Sequence, residues 1–120
     1  MKSALRGEPE AMGQRTDIDL VVACDDAQAV VRVSGELDLS TAPALEQQLN
    51  ELVEGGARKV FVNLAELTFI DARGLTALVR GAEQLRRQEG GMHVCSPSPT
   101  VRRVLAITGL DGALLGPAPE

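Results

Sequence analysis

The sequence predicts an α/β domain built on a small mixed sheet, and three observations carry that expectation. Short apolar runs alternate with stretches whose apolar residues recur at helical spacing. Two neighbouring runs near the start are joined by a tight acidic turn, as in a hairpin. Paired glycines follow two of the helical stretches, where helices end. Strands separated by helices imply parallel crossovers, and the opening hairpin adds an antiparallel pair.

Residues 1–16 show no periodicity and read as a flexible tail; residues 17–115 form the domain and 116–120 a short C-terminal tail. Asp19–Cys24 is the first strand and Asp25-Asp26-Ala27 the turn. Gln28–Ser34 then alternates, with Val31 and Val33 on one face and Arg32 and Ser34 on the other. Ser40 and Thr41 are N-cap types, Pro43 suits a first helical turn, and Leu45, Leu49 and Leu52 form one stripe of a helix running to Glu54. Gly55-Gly56 ends it. Lys59–Leu64, with Val60, Phe61 and Val62, reads as a buried strand.

The apolar run through Phe69-Ile70 stops at Asp71, and a helical pattern begins at once. Leu75, Leu78, Val79, Ala82 and Leu85 share one face of a helix to Gln88, and Gly90-Gly91 stops it. Asp71 is its N-cap, worth about 1 kcal/mol. Gly74 is unfavourable in a first turn by up to about 1 kcal/mol against alanine, so a neighbouring loop or a partner should approach the backbone there. Met92–Cys95 is a short strand. Ser98-Pro99 starts a third helix lined by Val101, Val104, Leu105 and Thr108 and closed by Gly109, and Ala113–Leu115 suggests a last brief strand. The order is β-β-α-β-α-β-α.

Composition narrows the function. The chain has 120 residues and a net charge of −5, so clustered basic residues for phosphate backbones are missing and no nucleic-acid partner is expected. Aromatics are only Phe61 and Phe69, which leaves no stacking platform for bases. Cys24 and Cys95 match no metal or redox spacing and read as two buried reduced thiols. No run spans a bilayer and the start lacks a signal-peptide core, so a cytoplasmic location without membrane insertion is expected. Neither glycine phosphate-binding motif is present, and His93 alone anchors neither a metal nor a triad. Neither an enzyme, a cofactor nor a metal is expected. A phosphoacceptor receiver would need a late lysine, and none follows Lys59. The remaining chemical option is a small anion at the second helix's N-terminus, assisted by Arg73.

Three segments, Val33–Pro43, Val62–Leu75 and Ser98–Leu110, together resemble a STAS domain of the bacterial anti-sigma-factor antagonist type. The resemblance implies a mixed sheet with helices packed mainly on one face, and a protein that works by docking. Its partner would be an anti-sigma factor, often a serine kinase, which releases a sigma factor on binding and phosphorylates a Ser or Thr directly after the strand-ending aspartate. By the same resemblance Asp38, Ser40, Thr41, Asp71, Ala72, Arg73, Gly74, Leu75 and Thr76 are partner-binding. The acceptor position is Ala72, which has no hydroxyl. Three readings follow. In one the chain is an antagonist that cannot be phosphorylated there, with Arg73 offering positive charge to an acidic partner surface. In another it is a regulatory STAS module of a signalling complex or a lipid transporter. In the last another hydroxyl is modified, Thr68 or Thr76.

Overall fold

A computed structural model describes residues 18–114. The tails expected over residues 1–16 and 116–120 lie outside the described residues.

The hairpin forms as β1 (Ile18–Asp25) and β2 (Gln28–Leu37), antiparallel from Ile18↔Gly35 to Asp25↔Gln28. Asp25 therefore belongs to the strand, and the turn is Asp26-Ala27 alone. Alternation fixes which face of β2 is inside: Ala29, Val31 and Val33 are buried, while Gln28, Val30 and Arg32 face solvent. Helix α1 (Ala42–Glu54) leads to β3 (Lys59–Asn63), then β4 (Leu67–Ile70), α2 (Ala72–Arg87), β5 (Gly91–Cys95), α3 (Pro99–Thr108) and the four-residue α4 (Asp111–Leu114). The strand expected at Ala113–Leu115 is replaced, over its described part, by α4.

The run from Lys59 to Asp71 holds two strands where the sequence suggested one. β3 ends at Asn63, whose Oδ1 accepts the Ala65 N–H at 2.9 Å, and a turn follows. β4 then pairs with the far end of β2. The sheet runs β1-β2-β3-β5 with β4 on β2, and every pairing other than the hairpin is parallel. β2 is the central strand: its first half pairs with β3 from Gln28↔Lys59 and its last residues pair with β4 up to Leu37↔Ile70. Between these halves lies a register shift at Gly35/Glu36, where Gly35 takes φ 102°, a backbone region a side chain would strain.

The core is aliphatic and lies between the sheet and the helices. Leu45, Leu49, Leu78, Leu85 and Leu105 are at most 1% exposed over Val31, Val33, Val60 and Val62. Each such Leu contributes about 1.5–3 kcal/mol. Val101 and Leu105 anchor α3, whereas Thr108 is exposed and outside the stripe expected for it. The Thr108 hydroxyl donates to the Val104 carbonyl instead. On the sheet face turned away from the described helices, Phe61 stacks on His93 with ring centroids 5.8 Å apart. Cys24 is exposed on β1 and Cys95 half-buried on β5, so the expected pair of buried thiols is not formed, although both thiols are free.

Candidate functional site

Two strand-to-helix junctions lie side by side at one end of the sheet. β2 leaves at Leu37 and enters α1 through Asp38–Thr41; β4 leaves at Ile70 and enters α2 through Asp71. The strands are register neighbours at Leu37↔Ile70, and the Asp71 N–H donates to the Leu37 carbonyl at 3.2 Å. The parallel pairing of β2 and β4 therefore joins sequence segments more than thirty residues apart into one surface.

Each junction is held by an aspartate that accepts N–H groups from the chain just beyond it. Asp71 Oδ1 accepts the Gly74 N–H at 2.9 Å, the N-cap expected from sequence. Asp38 Oδ1 accepts the Ser40 and Thr41 N–H groups at 3.0 and 3.1 Å and the Ser40 hydroxyl at 2.9 Å. Thr41 occupies the N-cap position of α1, but its side chain does not cap the helix. It is 2% exposed, and its hydroxyl donates to the Glu36 carbonyl at 2.7 Å while accepting the Asp38 N–H at 2.9 Å. Ser40 does not cap either, because its hydroxyl is committed to Asp38. The donors at its carboxylate, Ser40's hydroxyl first, hold the Asp38 carboxyl below its ordinary range.

That direction sets a pH dependence. A carboxylate depressed in the fold stabilises the protein above its unfolded pKa, and the contribution is lost as pH falls through the folded one. Glu46 is depressed too, by its hydrogen bonds to Arg73. Thermal melts should show stability falling only as pH drops below the ordinary carboxylate range. D38A combined with E46Q should flatten that acid limb.

Arg73 does not offer a free charge. Its guanidinium forms a fork on Glu46 of α1, Nη1 to Oε2 at 2.7 Å and Nη2 to Oε1 at 3.0 Å, with Arg80 at 3.8 Å from the same carboxylate. Glu46 holds Arg73 above its ordinary pKa. Arg73 thus ties α2 to α1, with its charge paired inside the chain. R73Q should lower the melting temperature slightly, an effect fading with added salt, and should change partner affinity by less than about threefold, read by calorimetry.

The nine residues expected at the site divide by accessibility. Ala72 and Ser40 are exposed, and Asp38, Asp71, Arg73 and Thr76 are half-buried. Thr41, Gly74 and Leu75 are buried and position the others. Gly74 has its reason within the chain: a Cβ there would stand 2.6 Å from the Leu37 carbonyl oxygen and 2.9 Å from Leu37 Cγ. The approach expected from sequence is that of the neighbouring junction. Thr76 donates its hydroxyl to the Ala72 carbonyl at 2.9 Å and Thr68 to the Gly35 carbonyl at 3.0 Å.

Two residues of this end escaped the sequence reading. Leu39 is 71% exposed in the β2–α1 loop, and Phe69 is 45% exposed on β4. An apolar count alone assigns both to the core. Their signal is positional: each lies within two residues of a junction aspartate, in a segment too short or too irregular for alternation to apply. The end of the domain therefore presents Leu39, Phe69 and Ala72 among the carboxylates of Glu36, Asp38 and Asp71. Apart from the Ser40 and Thr41 hydroxyls at Asp38, no nucleophile lies against a base there among the described residues.

Known proteins resemble this chain in sequence and fold. The sequence model of the STAS domain matches residues 18–116. The anti-sigma-B factor antagonist of Staphylococcus aureus (strain NCTC 8325 / PS 47) is 30% identical over 94 residues, covering 78% of this chain and 87% of that protein. The crystal structure of an anti-sigma factor antagonist from Mycobacterium paratuberculosis aligns with a TM-score of 0.74 at 36% identity, over 84% of this chain and 86% of that one. The Bacillus cell fate determinant SpoIIAA in its phosphorylated form aligns with a TM-score of 0.68 over 85% of this chain and 93% of that one; at 24% identity that likeness is one of fold. No helix among the described residues is long and apolar enough to cross a membrane.

Proposed function

This chain belongs to the STAS domain family, and on that premise we propose that it is an anti-sigma factor antagonist, binding an anti-sigma factor through the paired junctions and thereby freeing a sigma factor for transcription. One observation carries the reading. Exposed Leu39, Phe69 and Ala72 flank two adjacent aspartate-held junctions. Exposed apolar residues gathered at one end of a small domain are what a partner buries.

The chemistry also describes the partner's side. Glu36, Asp38 and Asp71 carry negative charge at the rim, and Arg73 is neutralised by Glu46. A partner that fits offers apolar pockets for Leu39 and Phe69 and basic side chains for the carboxylates. Its kinase character, which the family resemblance implies, belongs to this proposal. At position 72 such a kinase finds a methyl group, so the acceptor reaction cannot occur there. The partner-binding role extends to Asp38, Ser40 and Ala72 directly and to Thr41, Arg73, Gly74, Leu75 and Thr76 through the positions they fix.

The test is a pull-down from the native host with quantitative mass spectrometry, using the full chain as bait and A72D as the control. Enrichment of an anti-sigma factor on the full chain and its loss on A72D support the reading. Enrichment of transporter subunits, or equal recovery on both baits, contradicts it.

A further inference from the structure

Ala72 leaves the β4–α2 junction without an acceptor hydroxyl, but the junction beside it has one. The β2–α1 loop, β4 and the first two turns of α2 carry four side-chain hydroxyls: Ser40, Thr41, Thr68 and Thr76. Thr41 is 2% exposed, with its hydroxyl between the Glu36 carbonyl and the Asp38 N–H. Thr68 lies within β4 and Thr76 in the second turn of α2, and both donate to main-chain carbonyls of regular structure. A kinase must draw the acceptor and its flanking backbone into its own cleft, which a paired strand or a formed helix resists. Ser40 is exposed and lies outside helix and strand, next to Leu39 at 71% exposure. Its hydroxyl donates to a carboxylate, Asp38 Oδ1, at 2.9 Å.

We infer that Ser40 is the phosphoacceptor of this chain, modified by the kinase partner with ATP as phosphoryl donor, so that the regulatory site sits on the β2–α1 loop. The inference rests on the function proposed above. In the transfer, Ser40 Oγ attacks the γ-phosphorus of ATP; the Oγ–P bond forms, the bond from that phosphorus to the β–γ bridging oxygen breaks, and ADP leaves. The hydroxyl proton passes to Asp38 Oδ1 and on to water.

The consequence follows from the hydrogen bonds. Phosphorylation removes the Ser40 donor and sets close to two negative charges against the Asp38 carboxylate, which already holds the Ser40 and Thr41 N–H groups. Like charges at hydrogen-bond distance drive the loop open, so Leu39 leaves its place on the docking surface. The neighbouring junction feels the change through Leu37, whose carbonyl accepts the Asp71 N–H.

The experiment uses the full chain, S40A and A72S, each incubated with Mg-ATP and the purified ATPase-fold anti-sigma factors of the host. Phosphate is located by mass spectrometry, and affinity is measured before and after. One phosphate per chain at Ser40, absent from S40A, with at least a tenfold ATP-dependent loss of affinity that S40A does not show, supports the inference. A chain that binds but stays unmodified while A72S is phosphorylated at position 72 overturns it, as does phosphate on Thr68 or Thr76; the proposed function survives both results. Failure of every anti-sigma factor to bind the unmodified chain contradicts that function and this inference with it.

Discussion

Ala72→Asp should weaken binding to the anti-sigma factor by about 30- to 300-fold while leaving the domain folded. Ala72 is exposed at the first position of α2, directly after the Asp71 cap, so the new carboxylate meets solvent and no core atom. At a helix N-terminus a negative charge is favourable by about 0.3–1 kcal/mol, and the melting temperature should hold or rise slightly. In a complex the same carboxylate enters a surface that already carries Glu36, Asp38 and Asp71, and it must lose its water. A desolvated, imperfectly paired charge at the centre of an interface costs about 2–3.5 kcal/mol, which is the stated range in affinity. Calorimetric titration beside a thermal melt separates the two effects. Affinity within about twofold of the parent would place the interface elsewhere.

Gly74→Ala should act in the opposite way, on the fold first and on binding through it. Helix propensity alone favours the change by up to about 1 kcal/mol. Packing opposes it more strongly. The added methyl would stand 2.6 Å from the Leu37 carbonyl oxygen and 3.1 Å from Ile70 Cγ1, and the first of these is main chain at the end of β2. Moving that carbonyl disturbs its bond from the Asp71 N–H and the register Leu37↔Ile70. Overpacking of this kind costs about 1–3 kcal/mol, toward the upper end where main chain must move, so after the propensity gain the variant should melt lower by about 5–10 °C. Because the shift falls between the two junctions, affinity should fall as well. A G74A protein that melts at or above the parent would show that the strand end yields freely, and the close approach would lose its meaning.

How much of this could be read from the residues depends on the length of each segment. The helices and the hairpin were legible because Leu45, Leu49 and Leu52, or Val31 and Val33, repeat long enough to fix a face. The junction at Asp71 was legible because an apolar run, a capping residue and a helical stripe adjoin there. β4 was not. Four residues cannot establish a period, and the shift at Gly35/Glu36 breaks what alternation there is, so Phe69 points outward where an apolar count buries it. The pairing of β2 with β4 is a long-range event with no local signature, and with it went the adjacency of the two junctions.

Charge pairing was equally hidden. Arg73 and Glu46 are 27 positions apart, and only the packing of α1 on α2 turns a free cation into an internal clamp. The capping types at Ser40 and Thr41 gave the right place for a helix start. Their hydroxyls do not cap α1, because Ser40 donates to the Asp38 carboxylate and Thr41 to the Glu36 carbonyl.

The central claim is that one docking surface spans both junctions. Hydrogen exchange of the full chain, free and saturated with its anti-sigma factor, tests it most directly. Slowed exchange should appear together over residues 37–41 and 69–76, with β1 and the sheet face away from the described helices unchanged. Protection confined to β1 or to that open face, with both junctions exchanging as in the free chain, would contradict it.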